Sequence, residues 1–65
     1  MRVQLCFKTP EMEEGKIKVV TEEMTVKKAE LFYKGNLKGK VDLAYLRHFD
    51  GWRYVFVKYL YKKEE

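Results

Sequence analysis

A small α+β domain in the order ββαββ, an antiparallel sheet with one helix packed over it, is the fold class that this chain predicts. Three observations carry it. Residues 2–8 alternate apolar and polar with the period of a half-buried strand. Asp50-Gly51 sits between two long, strand-like segments and is the dipeptide that a tight hairpin turn prefers. Between those regions, residues 22–34 combine an apolar stripe with charged pairs at helical spacing.

In chain order, Val3, Leu5 and Phe7 form the inward face of the first strand, with Arg2, Gln4, Cys6 and Lys8 on the other. Thr9-Pro10 ends it, because proline lacks the N–H a ladder needs, and the acidic stretch up to Gly15 reads as a loop. Residues 16–21 alternate again with Ile17 and Val19 inward, which gives a first hairpin over residues 2–21.

For residues 22–34 the helix reading takes Thr21 as N-cap and Glu22-Glu23 as first-turn acids, where the helix dipole favours negative charge, with Gly35 as terminator. Val26, Ala29 and Tyr33 make the stripe, with Phe32 beside them; Glu23/Lys27 and Glu30/Lys34 make the pairs. Met24 and Leu31 fall off the stripe. If this segment is extended instead, five strands suggest a small SH3-like or OB-like barrel.

The second hairpin pairs residues 37–49 with residues 52–61 and holds seven of the ten aromatics. A two-residue type I′ turn at Asp50-Gly51 sets Phe49 opposite Trp52, Arg47 opposite Tyr54, Tyr45 opposite Phe56, Leu43 opposite Lys58 and Val41 opposite Leu60. That face is expected to be the core. The other carries Lys38, Lys40, Ala44, Leu46 and His48 against Arg53, Val55, Val57, Tyr59 and Tyr61. Residues 1–65 read as one domain with a charged, frayed end at residues 62–65.

Composition narrows the chemistry. A chain of 65 residues is near the lower limit for a self-sufficient core, so a deep catalytic cleft is not expected. Serine is absent, which excludes a Ser-His-Asp site, and no phosphate-cradling glycine loop opens a helix. One Cys and one His do not make a zinc site, and the acidic loop lacks the ligand pattern of a calcium site. No catalytic residue, metal or cofactor is therefore assigned, and Cys6 reads as a plain surface thiol. With no disulfide possible and no apolar run of membrane or signal-peptide length, a cytoplasmic protein is expected. The scarcity of Ser, Asn, Gln and Cys beside abundant Lys and Glu points to a thermophilic source.

Charge points toward a partner. Residues 8–26 hold three Lys against five Glu, whereas residues 27–63 hold ten Lys or Arg against three acids, an asymmetry that suggests an anionic partner. Lys38, Lys40, Arg53, Tyr59, Tyr61 and Lys63 are the expected contact residues. Rings would stack on bases and cations would neutralise phosphates, so single-stranded nucleic acid is favoured. The alternative is a small regulator or inhibitor docking on an acidic protein surface, such as that of a replication or other nucleic-acid-processing factor. In size, basicity and composition the chain is similar to small chromatin-associated and replication-associated proteins of archaea, and no motif extends that likeness to particular residues. A monomer or a homodimer formed through the aromatic hairpin fits the composition.

Overall fold

The alternation of residues 2–8 becomes strand β1 (Arg2–Lys8), on which the sheet is assembled. A computed structural model describes residues 1–63 of the chain. After β1 come β2 (Lys18–Thr25), helix α1 (Val26–Phe32), a π-helical turn over Tyr33–Leu37, β3 (Leu43–Phe49) and β4 (Tyr54–Lys62). The four strands lie in the order β2-β1-β3-β4, and every neighbouring pair is antiparallel. The molecule is thus a small α+β protein with a four-stranded antiparallel sheet and one helix.

The core lies between α1 and one face of the sheet. Val3 and Leu5 of β1, Met24 of β2 and Ala44 and Leu46 of β3 are buried there with Ala29 of α1 and with Leu37 and Val41 from the segment leading into β3. Cross-strand pairing aligns them: Val3 faces Met24, and Leu5 faces Val20 on one side and Leu46 on the other. The small side chains Ala29 and Ala44, both fully buried, suit a helix lying close to its sheet. Lys58 of β4 reaches the helix from its edge, its Nζ 2.9 Å from Glu30 Oε2, and holds that carboxyl below its ordinary pKa.

Three expectations are corrected. The helix begins four residues later than Thr21-Glu22-Glu23 suggested, because residues 21–25 continue β2, where Met24 has a buried partner in Val3. Thr25 is the true N-cap: its Oγ1 accepts from Lys28 N at 3.2 Å. Gly35 lies inside the π-helical turn and does not end it; the stop is Gly39, whose φ of +81° suits the turn closed by Lys40 N donating to Leu37 O. Ile17 precedes β2 and is exposed.

The hairpin also differs. Asp50 Oδ1 accepts from both Trp52 N and Arg53 N at 2.9 Å, an Asx arrangement that favours a four-residue loop over the two-residue turn. Phe49 therefore pairs with Tyr54, not Trp52. Two irregularities, between Ala44/Tyr45 and between Leu46/Arg47, then leave Leu60 and Val57 as extra residues on β4. Of the end expected to fray, Lys62 is the last residue of β4 and Lys63 N donates to Asp42 O at 2.9 Å, while Glu64 and Glu65 lie outside the described residues.

Candidate functional site

Alternation that sends Val3, Leu5, Ala44 and Leu46 to the helix sends their neighbours to the opposite, uncovered face. There Gln4 pairs with Arg47, Cys6 with Tyr45 and Lys8 with Leu43; Arg47 pairs in turn with Phe56, Tyr45 with Tyr59, Leu43 with Lys62 and Phe49 with Tyr54. Of the face expected to be the core, Val41 is buried in it and Leu60 packs against it, but Leu43, Tyr45, Arg47, Phe49, Tyr54 and Phe56 lie on this open side, and Ala44 and Leu46, expected to be open, are core. The pairing with β1 decides the matter, since Ala44 and Leu46 lie beside Phe7 and Leu5 and Tyr45 lies beside Cys6.

The open face has an aromatic centre. Phe56 lies 4.8 Å from Tyr59 and 6.0 Å from Tyr45, centroid to centroid, and Tyr45 meets Tyr59 edge-on at 6.4 Å. Phe49 and Tyr54 form a second pair at 5.1 Å near the turn. Phe56 and Tyr59 are 52% and 50% exposed, so each leaves about half its surface open to solvent. Burying such rings contributes strongly to association, and flat rings on a sheet accept any base by stacking.

Cations frame the rings. Arg47 Cζ sits 3.8 Å from the Tyr54 centroid, and Lys62 Nζ lies 5.1 Å from that of Tyr59. Arg47 Nε donates to Gln4 Oε1 at 3.0 Å and Gln4 Nε2 to Thr21 O at 2.9 Å, a polar chain from β3 through β1 to β2 that holds the guanidinium in place. Strands β1, β3 and β4 contain Arg2, Lys8, Arg47, Lys58 and Lys62 and not one Asp or Glu. Of these cations Lys58 turns to the helix, so the part of the open face built from β1, β3 and β4 carries Arg2, Lys8, Arg47 and Lys62 and no acid.

Beneath the rings, Cys6 is fully buried, not the surface thiol expected from its place in the alternation. Burial pushes its thiol pKa up, against a smaller lowering by Arg47, and burial likewise raises the Tyr45 hydroxyl, with Cys6 adding to it. Both groups are held neutral, as packing elements rather than reactive ones. His48 belongs to the helix-facing set, and its Nδ1 donates to the Arg2 carbonyl at 2.7 Å.

The six residues singled out from the sequence do not share a surface. Tyr59 is in the aromatic cluster. Tyr61 pairs with Ala44, on the helix side of the sheet. Lys38 and Lys40 lie in the turn after the π-helical segment, and Arg53 lies in the hairpin loop beside Asp50, its Nε 4.0 Å from the carboxylate. Lys63 stands just beyond β4, its Nζ 3.9 Å from Asp42. Sequence reasoning missed Tyr45, Arg47, Phe49, Tyr54, Phe56 and Lys62 as surface groups. The available signal was charge: no acid occurs in residues 43–49 or 54–62.

Among the described residues no group of three or more His, Cys, Asp or Glu is placed to hold a metal ion, and no helix is long and apolar enough to cross a membrane. Comparison with protein-family models, with curated proteins and with solved structures finds no match to this chain.

Proposed function

We propose that the protein is a non-catalytic binding module that takes single-stranded nucleic acid on its open sheet face. The observation that carries this reading is the Tyr45/Phe56/Tyr59 cluster, with Phe56 and Tyr59 half-exposed, set in three strands without an acidic residue. Bases stack on the rings; Arg47, Lys62 and Lys8 take the phosphates. A duplex hides its base faces, so the stacking contribution, about 1 to 3 kcal/mol per base, is available only to an unpaired strand.

Fluorescence anisotropy with labelled single-stranded and duplex oligonucleotides tests this at two salt concentrations. Three phosphate contacts imply a log–log salt slope of about −2 for a single strand, about a sixteenfold loss between 50 and 200 mM. Preference for single strands that persists at the higher salt is the expected result. Equal, weak binding of both forms that vanishes with salt overturns it. The reading that then leads is docking on an acidic protein surface. It is supported by the position of β4 at the sheet edge, where an extended partner segment can add a strand.

A further inference from the structure

At one end of the open face three adjacent strands finish in a pocket of about 290 Å³ lined by Lys8, Asp42, Leu43, Lys62 and Lys63. Its walls are fixed by the backbone. Asp42 N donates to Lys8 O at 2.8 Å, Lys63 N donates to Asp42 O at 2.9 Å, and Leu43 pairs with Lys8 on one side and Lys62 on the other. Lys8 and Lys62 thus flank Leu43 on the same face, roughly 10 Å apart at two strand spacings, a gap that two lysine side chains can close around one small anion. Asp42 is the one acid among the described residues that line the pocket, and Lys63 stands 3.9 Å from it. Among the described residues that line it, three ammonium groups face one carboxylate, an excess of two positive charges.

We infer that this pocket receives the terminal phosphate of the bound strand, a deepening that rests on the sheet-face reading. An internal phosphodiester carries one negative charge, whereas a terminal phosphomonoester carries about −1.5 to −2 at pH 7, close to the positive excess of the described lining residues. Lys62 joins the two parts of the surface: it lines the pocket and its Nζ also lies over the Tyr59 ring. A strand whose end sits among the lysines therefore has its neighbouring bases at Tyr59 and Phe56. The chemistry recognised is a dianionic end group beside an unpaired base.

The test compares one short single strand carrying a 5′-phosphate, a 3′-phosphate or neither, by anisotropy at low salt, with inorganic phosphate titrated separately against ¹⁵N-labelled protein. One phosphorylated form is expected to bind about tenfold tighter than the unphosphorylated strand, the size of a new charge-assisted contact. Lys8→Gln with Lys62→Gln should abolish the difference, and Asp42→Asn should enlarge it by removing the opposing charge. Inorganic phosphate should shift the amides of Asp42, Leu43 and Lys63 and leave those of Lys38 and Lys40 in place. Less than a twofold difference at both ends, or a difference that survives the double lysine substitution, overturns the inference while leaving the sheet-face reading intact. If no strand binds at all, it is the sheet-face reading that fails. The phosphate titration then decides the pocket: shifts confined to it support the site and their absence overturns it.

Discussion

The two faces of the sheet are built from different chemistry by the same strands. On the helix side the contributing residues are aliphatic and small, Val3, Leu5, Ala44 and Leu46, and all are buried. On the other side they are aromatic and basic, and Phe49, Tyr54, Phe56 and Tyr59 are between 41% and 52% exposed. Aliphatic side chains fill a core without a polar atom to satisfy. Tyrosine has a hydroxyl that prefers water and a ring that prefers contact, which suits a surface awaiting a partner. Aromatic density marks the open side of this sheet, and aliphatic density marks its core.

The largest expected effect comes from Leu46→Ala. It removes a fully buried side chain from the helix side and should destabilise by about 2 to 5 kcal/mol, a large part of the stability of so small a domain, as measured by denaturant unfolding. Next is Arg47→Ala on the open side, which strips the cation from Tyr54 and leaves Gln4 Oε1 without its donor. A loss of about 1 to 2 kcal/mol is expected by the same measurement, and Arg47→Lys should recover only part of it because the ammonium does not reproduce the planar fork.

A smaller effect belongs to pH. The Cys6 thiol is raised by burial, so its contribution to stability is complete below the range where an unfolded cysteine ionises and is lost as pH rises through the folded pKa. Melting temperatures should therefore fall on the alkaline side, and Cys6→Ala should flatten that fall. Ellman's reagent should react with Cys6 only at the rate of unfolding. The smallest effect is at Asp50, whose carboxyl is lowered by backbone donation from Arg53 and then Trp52. Its contribution is present above the ordinary carboxylate range and lost as pH falls through the lowered pKa, so Asp50→Ala should reduce the acid dependence of melting.

Much of the architecture was legible because it is written locally. The alternation of Val3, Leu5 and Phe7 identifies β1, Thr9-Pro10 ends it, and Asp50-Gly51 marks the second hairpin. The exact helix start was not. Thr21 and Thr25 are both residue types that cap a helix, but only Thr21 is followed by acids, so the local signal favours the wrong one, and the deciding contact, Met24 against Val3, lies across the sheet. The off-stripe position of Met24 was the local sign that it belonged to a strand.

The candidate face was less legible for the same reason. Within the second hairpin either side could be the core, since Tyr45 and Phe56 bury more area than Ala44 and Val55. The choice is made by β1, whose side chains are already sorted by pattern, once β3 pairs so that Leu5 meets Leu46. That pairing spans about forty residues of sequence and has no local signature. The bulge residues Val57 and Leu60 add a second difficulty, because each reverses the alternation beyond it and moves Tyr59 and Tyr61 to opposite sides.

The most direct test of the account is one variant measured twice, Phe56→Thr with Tyr59→Thr, which deletes the centre of the aromatic cluster and keeps residues that favour strands. Thermal unfolding and single-strand anisotropy are recorded on the same preparation. The account expects a cooperative melt near that of the unsubstituted protein together with at least a tenfold loss of single-strand affinity, in line with the stacking energy of one or two bases. Unchanged affinity in a folded variant would contradict the binding face, and loss of cooperative folding would contradict the division between an aliphatic core and an aromatic surface.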